Sequence, residues 1–317
     1  MIRYYPGQWR VGMGVTRREF NKTALLAGGA IALGSSSSFA GTENVIRKAI
    51  PSTGEEIPIV GLGTNRYGVG TSDAARAPLR AALNRFRELG GTVIDTAPSY
   101  RTSESVLGDL IADLGIRDDL FVATKSDESG GDAVAGQMQT SLGKLKTNSF
   151  DLMQVHNLRG WQEAFPVMRE WKAEGRIRYI GITTSNARQY ADLEKIMQQE
   201  DLDFVQLNYS LEQREAAERL LPLAADRGMA VIINRAFGGG RIFDAVGDRP
   251  VPDWAREFDC SSWAQFLLKY ALSHPAATVA IPGMTKAKHV EDNMMAARGR
   301  LPNEEERRQM EAFYDAL

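Results

Sequence analysis

The sequence predicts a (β/α)₈ TIM barrel, and three observations carry that prediction. From residue 41 onward, short β-branched runs alternate with longer amphipathic segments, the pattern of repeated βα units feeding a parallel sheet. The alternation repeats eight times. Many of the amphipathic segments stop on a glycine, and the length beyond residue 40 is close to the ~250 residues typical of such a barrel.

The expected strands are Val60–Thr64, Thr92–Ala97, Leu120–Lys125, Leu152–Asn157, Tyr179–Thr184, Phe204–Tyr209, Ala230–Arg235 and Thr278–Gly283. Between and after them the apolar spacing predicts helices over Asp73–Leu89, Ser103–Leu114, Ala133–Leu145, Trp161–Glu174, Ala187–Gln199, Arg214–Arg227, Ser261–Ser273 and Thr285–Ala296. Gly90, Gly115, Gly175 and Gly228 stand where a left-handed residue closes a last helical turn. Val45–Ile50 and Glu56–Ile59 flank Ser52-Thr53-Gly54, a hairpin expected ahead of the first barrel strand. An open doubly wound sheet shares the alternation, but Arg66 occupies the place of the third glycine that its dinucleotide loop needs after Gly61-Leu62-Gly63.

Residues 1–40 read as an address. Arg17 and Arg18 precede the apolar stretch Ala24–Leu33, and Ser38-Phe39-Ala40 is a small-residue cleavage site, in the order a secretory signal peptide requires. The arginine pair resembles a twin-arginine signal. The apolar stretch is about half the ~20 residues needed to span a bilayer. Export to the periplasm by the twin-arginine translocation machinery is therefore expected, with translation starting at Met1 or Met13 and residues 41–317 as the working domain.

Composition narrows the function. With 43% hydrophobic residues the 317-residue chain can bury a large core, and a net charge of −2 with scattered signs offers no face for nucleic acid or anionic lipid. A small neutral substrate fits better. One cysteine, Cys260, and three histidines without paired spacing exclude an internal disulfide and argue against a metal site.

In such a barrel, catalytic side chains sit at the C-terminal ends of the strands. Asp95 lies near the end of the second strand, Tyr100 in the loop after it, Lys125 at the end of the third and His156 near the end of the fourth. Carbonyl reduction with a nicotinamide needs hydride for carbon and a proton for oxygen. A tyrosine hydroxyl can give that proton if its pKa, about 10 unperturbed, is lowered. Lys125 is the expected source of that lowering, with Asp95 holding its ammonium, and His156 is placed to hydrogen-bond the carbonyl oxygen. Singly, each residue has a bland alternative as a cap, an ion pair or a packing group. Together, at one end of consecutive strands, they are hard to explain as packing.

The run Gly91-Thr-Val-Ile-Asp95-Thr-Ala-Pro-Ser-Tyr100, followed by Arg-Thr-Ser-Glu104, resembles the signature of the aldo-keto reductases. Ala123-Thr124-Lys125 and Val155-His156-Asn157 resemble that family's lysine and histidine motifs. The resemblance implies Tyr100 as the acid in reduction, Asp95 and Lys125 as its tuners, and His156 as the carbonyl-orienting group. It also implies that Ser185, Asn186 and Gln206 contact the nicotinamide carboxamide and Asn293 the adenine. Family members that grip the 2′-phosphate of NADPH often carry a lysine after the proline and an arginine six positions later. Here Gly283 and His289 stand there, leaving Lys286 or Lys288 to supply charge. NADPH is the expected cofactor, and NADH stays open. Asn234-Arg235 replaces an aromatic platform, so Tyr209 is the candidate for stacking on the nicotinamide, while Arg241, after Gly238-Gly239-Gly240, suits a flap over a pyrophosphate.

The expected activity is reversible reduction of a small-molecule aldehyde or ketone by NAD(P)H. The alternative is a barrel that binds or senses NADP without turnover.

Overall fold

The computed structural model describes residues 45–317, so the expected leader lies outside the described residues. The chain enters through an antiparallel hairpin, β1 (Arg47–Ala49) and β2 (Glu56–Pro58), with Lys48 opposite Ile57 and Gly54 left-handed at its turn. Eight parallel strands follow: β3 (Leu62–Gly63), β4 (Val93–Asp95), β5 (Phe121–Ser126), β6 (Phe150–His156), β7 (Ile177–Thr183), β8 (Phe204–Asn208), β9 (Ala230–Asn234) and β10 (Ala277–Ala280). They pair in sequence order, and parallel bridges from Val60 to Ala280 and from Gly63 to Gly283 join the last strand to the first. The sheet closes into the expected barrel.

Helices α1 (Asp73–Glu88), α2 (Ser103–Leu114), α3 (Gly131–Leu145), α4 (Trp161–Ala173), α5 (Tyr190–Gln199) and α6 (Leu220–Asp226) follow β3 through β8 in turn. The expected stop glycines Gly90, Gly115, Gly175 and Gly228 are all left-handed. The segment after β9, expected to be a long loop, instead carries a short helix α7 (Arg241–Val246) before α8 (Trp263–Leu272). After β10 come α9 (Ala287–Met295) and an unexpected α10 (Glu304–Asp315). Its start is marked by a capping box, in which Asn303 accepts from the Glu306 amide and Glu306 accepts from the Asn303 amide. Its apolar stripe is too thin to announce it, because only Met310 is buried. Among the described residues no helix is long and apolar enough to cross a membrane.

Side-chain alternation along the strands sorts the core into two layers. Val93, Phe121, Ala123, Leu152, Tyr179, Phe204, Ala230, Ile232 and Val279 fill the barrel, joined by Ile50 and Ile57 of the hairpin region, which therefore plugs the lower mouth. Their odd-register neighbours Ile94, Val122, Met153, Ile182, Val205 and Val231 face the helices. Lys48 fastens the plug by donating to the carbonyls of Leu272 and Ala277 at 2.9 and 2.6 Å. Lys269 of α8 is buried, has no ion-pair partner among the described residues, and donates to the carbonyls of Phe258, Arg298 and Arg300 at 2.7, 2.7 and 2.9 Å.

Candidate active site

The alternation that puts Phe121 and Ala123 inside the barrel continues one step up to Lys125. The same parity carries Val93 to Asp95, Leu152 to Gln154 and His156, Gly181 to Thr183, Phe204 to Gln206, and Ile232 to Asn234. Seven polar side chains thus converge on the upper mouth, because the inward positions of these strands change from apolar or small to polar toward their C-terminal ends.

Lys125 and Asp95 are the centre of the group. Their side chains are 0% and 2% exposed, and Lys125 Nζ donates to Asp95 Oδ2 at 2.5 Å and to the Thr96 carbonyl at 2.8 Å. Asp95 Oδ1 accepts from Gln206 Nε2 at 2.8 Å and Gln154 Nε2 at 3.2 Å. Burial alone would push the lysine down; the Asp95 carboxylate and the nearby Tyr100 outweigh it and hold the ammonium above its ordinary range.

Tyr100 sits above this pair, with Lys125 Nζ 5.2 Å from its ring centroid. The loop from Asn65 to Gly70 lies hard against it, and at Gly68 a Cβ would stand 2.7 Å from the Tyr100 carbonyl. The expected lowering of its pKa is only part of the balance. Lys125 does pull it down, but burial is the larger effect, Asp95 adds to it, and the phenol ends above its usual value. Tyr100 is therefore protonated across the neutral range, the form a proton donor needs.

His156 is 9% exposed and meets Tyr100 edge-on, with ring centroids 6.1 Å apart. Its Nδ1 lies 2.5 Å from Asp127 Oδ1 and 3.4 Å from Ser99 Oγ. Asp127, two residues beyond Lys125, was not foreseen, and neither was Gln154. Gln154 had a legible signal, a carboxamide at inward parity in an apolar strand. Asp127 lies past the strand end, where parity no longer predicts direction. Of the signature residues, Glu104 is structural: its Oε1 accepts from Thr124 at 2.8 Å, and burial raises its carboxyl above the usual range.

These groups open onto a cleft of about 1010 Å³ lined by Tyr100, His156, Ser185, Gln206, Asn234 and Asn293 among others. Of the expected cofactor contacts, Ser185, Gln206 and Asn293 line it, along with Gly283 and His289. Four others do not. Tyr209 has outward parity, like Val205 and Leu207, and is buried against Tyr270 with its hydroxyl 2.5 Å from Arg307 Nη2. Asn186 caps the turn that follows it, accepting from the Arg188 amide at 3.1 Å. Arg241 turns away to Glu212 at 2.9 Å, and Lys286 is an exposed residue preceding α9. The arginines that do line the cleft are Arg66 and Arg235; the latter is left-handed at φ 51°, its carbonyl accepts from the Gly238 amide at 2.8 Å, and its guanidinium has no hydrogen-bond or ion-pair partner among the described residues.

A barrel whose upper mouth gathers a buried Asp–Lys pair, a tyrosine above it and a histidine beside it is the architecture of a carbonyl-reducing enzyme class. The chain belongs to the Aldo/keto reductase family, whose model matches residues 59–314. It is 29% identical over 258 residues to methylglyoxal reductase YeaE of Escherichia coli, covering 78% of this chain and 88% of that one. It is 30% identical over 205 residues to aldo-keto reductase YhdN of Bacillus subtilis, covering 58% of this chain and only 60% of that relative's length. Its fold matches the crystal structure of an aldo-keto reductase from Klebsiella pneumoniae in complex with NADPH. That match has a TM-score of 0.71 and 28% identity, over 85% of this chain and 95% of the other.

Proposed function

We propose that this protein reduces an aldehyde or ketone to an alcohol with NADPH as hydride source. The observation that carries the reading is the buried Asp95–Lys125 pair directly beneath the protonated Tyr100 at the mouth of the cleft. The residues present fit a nicotinamide dinucleotide: Asn234 Oδ1 is buried without a hydrogen-bond partner and lines the cleft, a site for the amide N–H of a carboxamide, beside Gln206 and Ser185. Arg235 and Arg66 suit the phosphates, and Asn293 with Asp292 the adenosine end. When bound, the cofactor supplies hydride to the carbonyl carbon. Tyr100 gives its hydroxyl proton to the carbonyl oxygen, Lys125 stabilises the phenolate left behind, Asp95 holds Lys125 charged, and His156 orients the oxygen.

The relative named for methylglyoxal makes 2-oxoaldehydes the first substrates to try. The test is oxidation of NADPH, and separately NADH, by the purified protein against a panel of 2-oxoaldehydes, simple aldehydes and ketones. Tyr100→Phe should lower kcat by 10²-fold or more; activity untouched by it would sink the mechanism. The protonated tyrosine also sets the pH dependence. Reduction persists through neutral pH, whereas alcohol oxidation, which needs the phenolate, rises only in alkaline solution.

For residues 1–40 we propose twin-arginine export to the periplasm, on the strength of Arg17-Arg18, the short apolar stretch and the Ser38-Phe39-Ala40 site. That pathway carries folded protein, often with its cofactor bound. Cell fractionation of the wild type against Arg17→Lys/Arg18→Lys tests this: retention of the double variant in the cytoplasm supports it, and unchanged distribution refutes it.

A further inference from the structure

We propose that Asp127 is a positioning residue that fixes the proton of His156 on Nδ1, so that His156 can hydrogen-bond a carbonyl oxygen only as the doubly protonated imidazolium. The inference rests on the carbonyl-reductase reading and deepens it.

The argument begins with the inventory of an imidazole. A neutral ring has one N–H and one lone pair, and which nitrogen holds the proton is decided by the partner of the other. Here Asp127 Oδ1 lies 2.5 Å from Nδ1, and a carboxylate can only accept. Nδ1 therefore carries a proton in every state of the ring. The remaining nitrogen, Nε2, is the one left for the cleft that His156 lines. In the neutral ring Nε2 is an acceptor and would face a carbonyl oxygen lone pair to lone pair. Only a second proton turns it into a donor, and the resulting cation is balanced by Asp127.

The contact is built, not incidental. Asp127's backbone amide donates to Gln137 Oε1 at 2.8 Å, and Ser126 Oγ donates to the same oxygen at 3.0 Å, fixing the loop that presents the carboxylate. On the other side, Asn157 and Leu158 directly after His156 are both left-handed, at φ 52° and 60°, a conformation such residues seldom hold without reason. The turn they make ends at Gly160, where a Cβ would stand 2.6 Å from the Glu128 carbonyl and 2.8 Å from Ser129. The two loops are thus pressed together, and His156 and Asp127 are the facing residues of that junction. Burial works against the charge on Asp127, but its hydrogen bond and attraction to His156, with help from Ser99 and Lys125, hold the carboxyl below its usual range.

Other charged groups complete the setting. Lys125, Asp95 and Tyr100 lie on the cleft side, and Glu128, Lys144 and Arg159 line a neighbouring cavity of about 710 Å³ that also reaches Asp127 and Ser99. Asp127 lines that cavity, and its hydrogen-bond partner His156 lines the cleft.

The test uses the full chain, uniformly ¹⁵N-labelled. It contains three histidines, His156, His274 and His289, so His156→Gln assigns the ring signals by difference. At the pH of maximal reduction, both ring nitrogens of His156 should carry protons. Asp127→Asn should lower kcat/KM for reduction at pH 7 by at least tenfold and move the alkaline fall of reduction downward by a pH unit or more, while Asp127→Glu should keep most of the wild-type profile. A neutral His156 in an active reductase, or superimposable pH profiles for wild type and Asp127→Asn, overturns the proposal. Because the ring spectra need neither cofactor nor substrate, a doubly protonated His156 in a protein that reduces no carbonyl would overturn the reductase reading alone.

Discussion

Replacing Lys125 with methionine removes one half of the most buried charge pair in the site. Asp95, 2% exposed, then keeps only the carboxamide donors of Gln154 and Gln206 in place of an ammonium at 2.5 Å. Breaking a buried pair in this way costs about 3–5 kcal/mol, and the two surviving donors place Lys125→Met near the lower end, about 3 kcal/mol. Asp95→Asn takes the carboxylate from the buried ammonium, leaving only uncharged partners such as the Thr96 carbonyl and Tyr100, and should cost a similar amount. The double variant leaves no unpaired charge and should return to within about 1–2 kcal/mol of wild type, a coupling of several kcal/mol. Urea unfolding of the four proteins measures this. Reductase assays should show the opposite pattern, with kcat/KM depressed 10²-fold or more in all three variants, since none retains a lysine tuned by a carboxylate beneath Tyr100. Additive stabilities, or a loss below about 1 kcal/mol in Lys125→Met, would refute the charge coupling. Recovery of activity in the double variant would refute the tuning role.

Three further outcomes are expected. Arg235→Ala should weaken NADPH binding roughly ten- to a hundredfold, the size of one charge-assisted hydrogen bond to a phosphate, whereas Arg241→Ala, which loses only its contact with Glu212, should leave the Kd within about twofold. His274 is held down to about 4 by burial and by the charges of Arg307 and Lys48, and its Nδ1 accepts the Ala276 amide. The unfolded chain binds that proton near pH 6.5 and the folded protein only near 4. Stability is therefore full above pH 6.5 and falls as the pH drops, by about 1 kcal/mol between pH 7 and 5 once solvent screening of the half-buried ring is allowed for, a slope that His274→Gln should remove when urea midpoints are compared. Burial pushes the Cys260 thiol up to about 12, so thiol reagents at pH 8 should label it only after denaturation; labelling of the native protein at the free-thiol rate would contradict its placement.

Most of the barrel was legible because period-two alternation and helix-stop glycines are local signals. Asp95, Lys125 and His156 were legible because strand ends are where the alternation hands over from apolar to polar side chains, and Tyr100 because it stands in the loop directly after such an end. Tyr209 shows what was overlooked in the same signal: it shares the parity of Val205 and Leu207 and so had to face the helices, while Asn234 and Gln154 shared the inward parity of Asp95, Lys125 and His156. Asn186 and Arg241 were not decidable that way. Both lie beyond strand ends, where a side chain's direction depends on the loop path and on partners such as Glu212 that are far away in sequence. Asp127 belongs with them, brought to His156 by two loops whose mutual fit no single stretch of sequence encodes.

Lys269 ties Phe258, at the end of the segment over the cleft, to Arg298 and Arg300, the stretch leading to the last helix. In many small proteins that task falls to a disulfide. An ammonium enclosed by three carbonyls joins the same strands of chain without any sulfur, and so is blind to glutathione, to oxygen and to the oxidoreductases that sort cysteines. With its single thiol buried, the barrel is cross-linked in a way that holds equally in a reducing and an oxidising compartment.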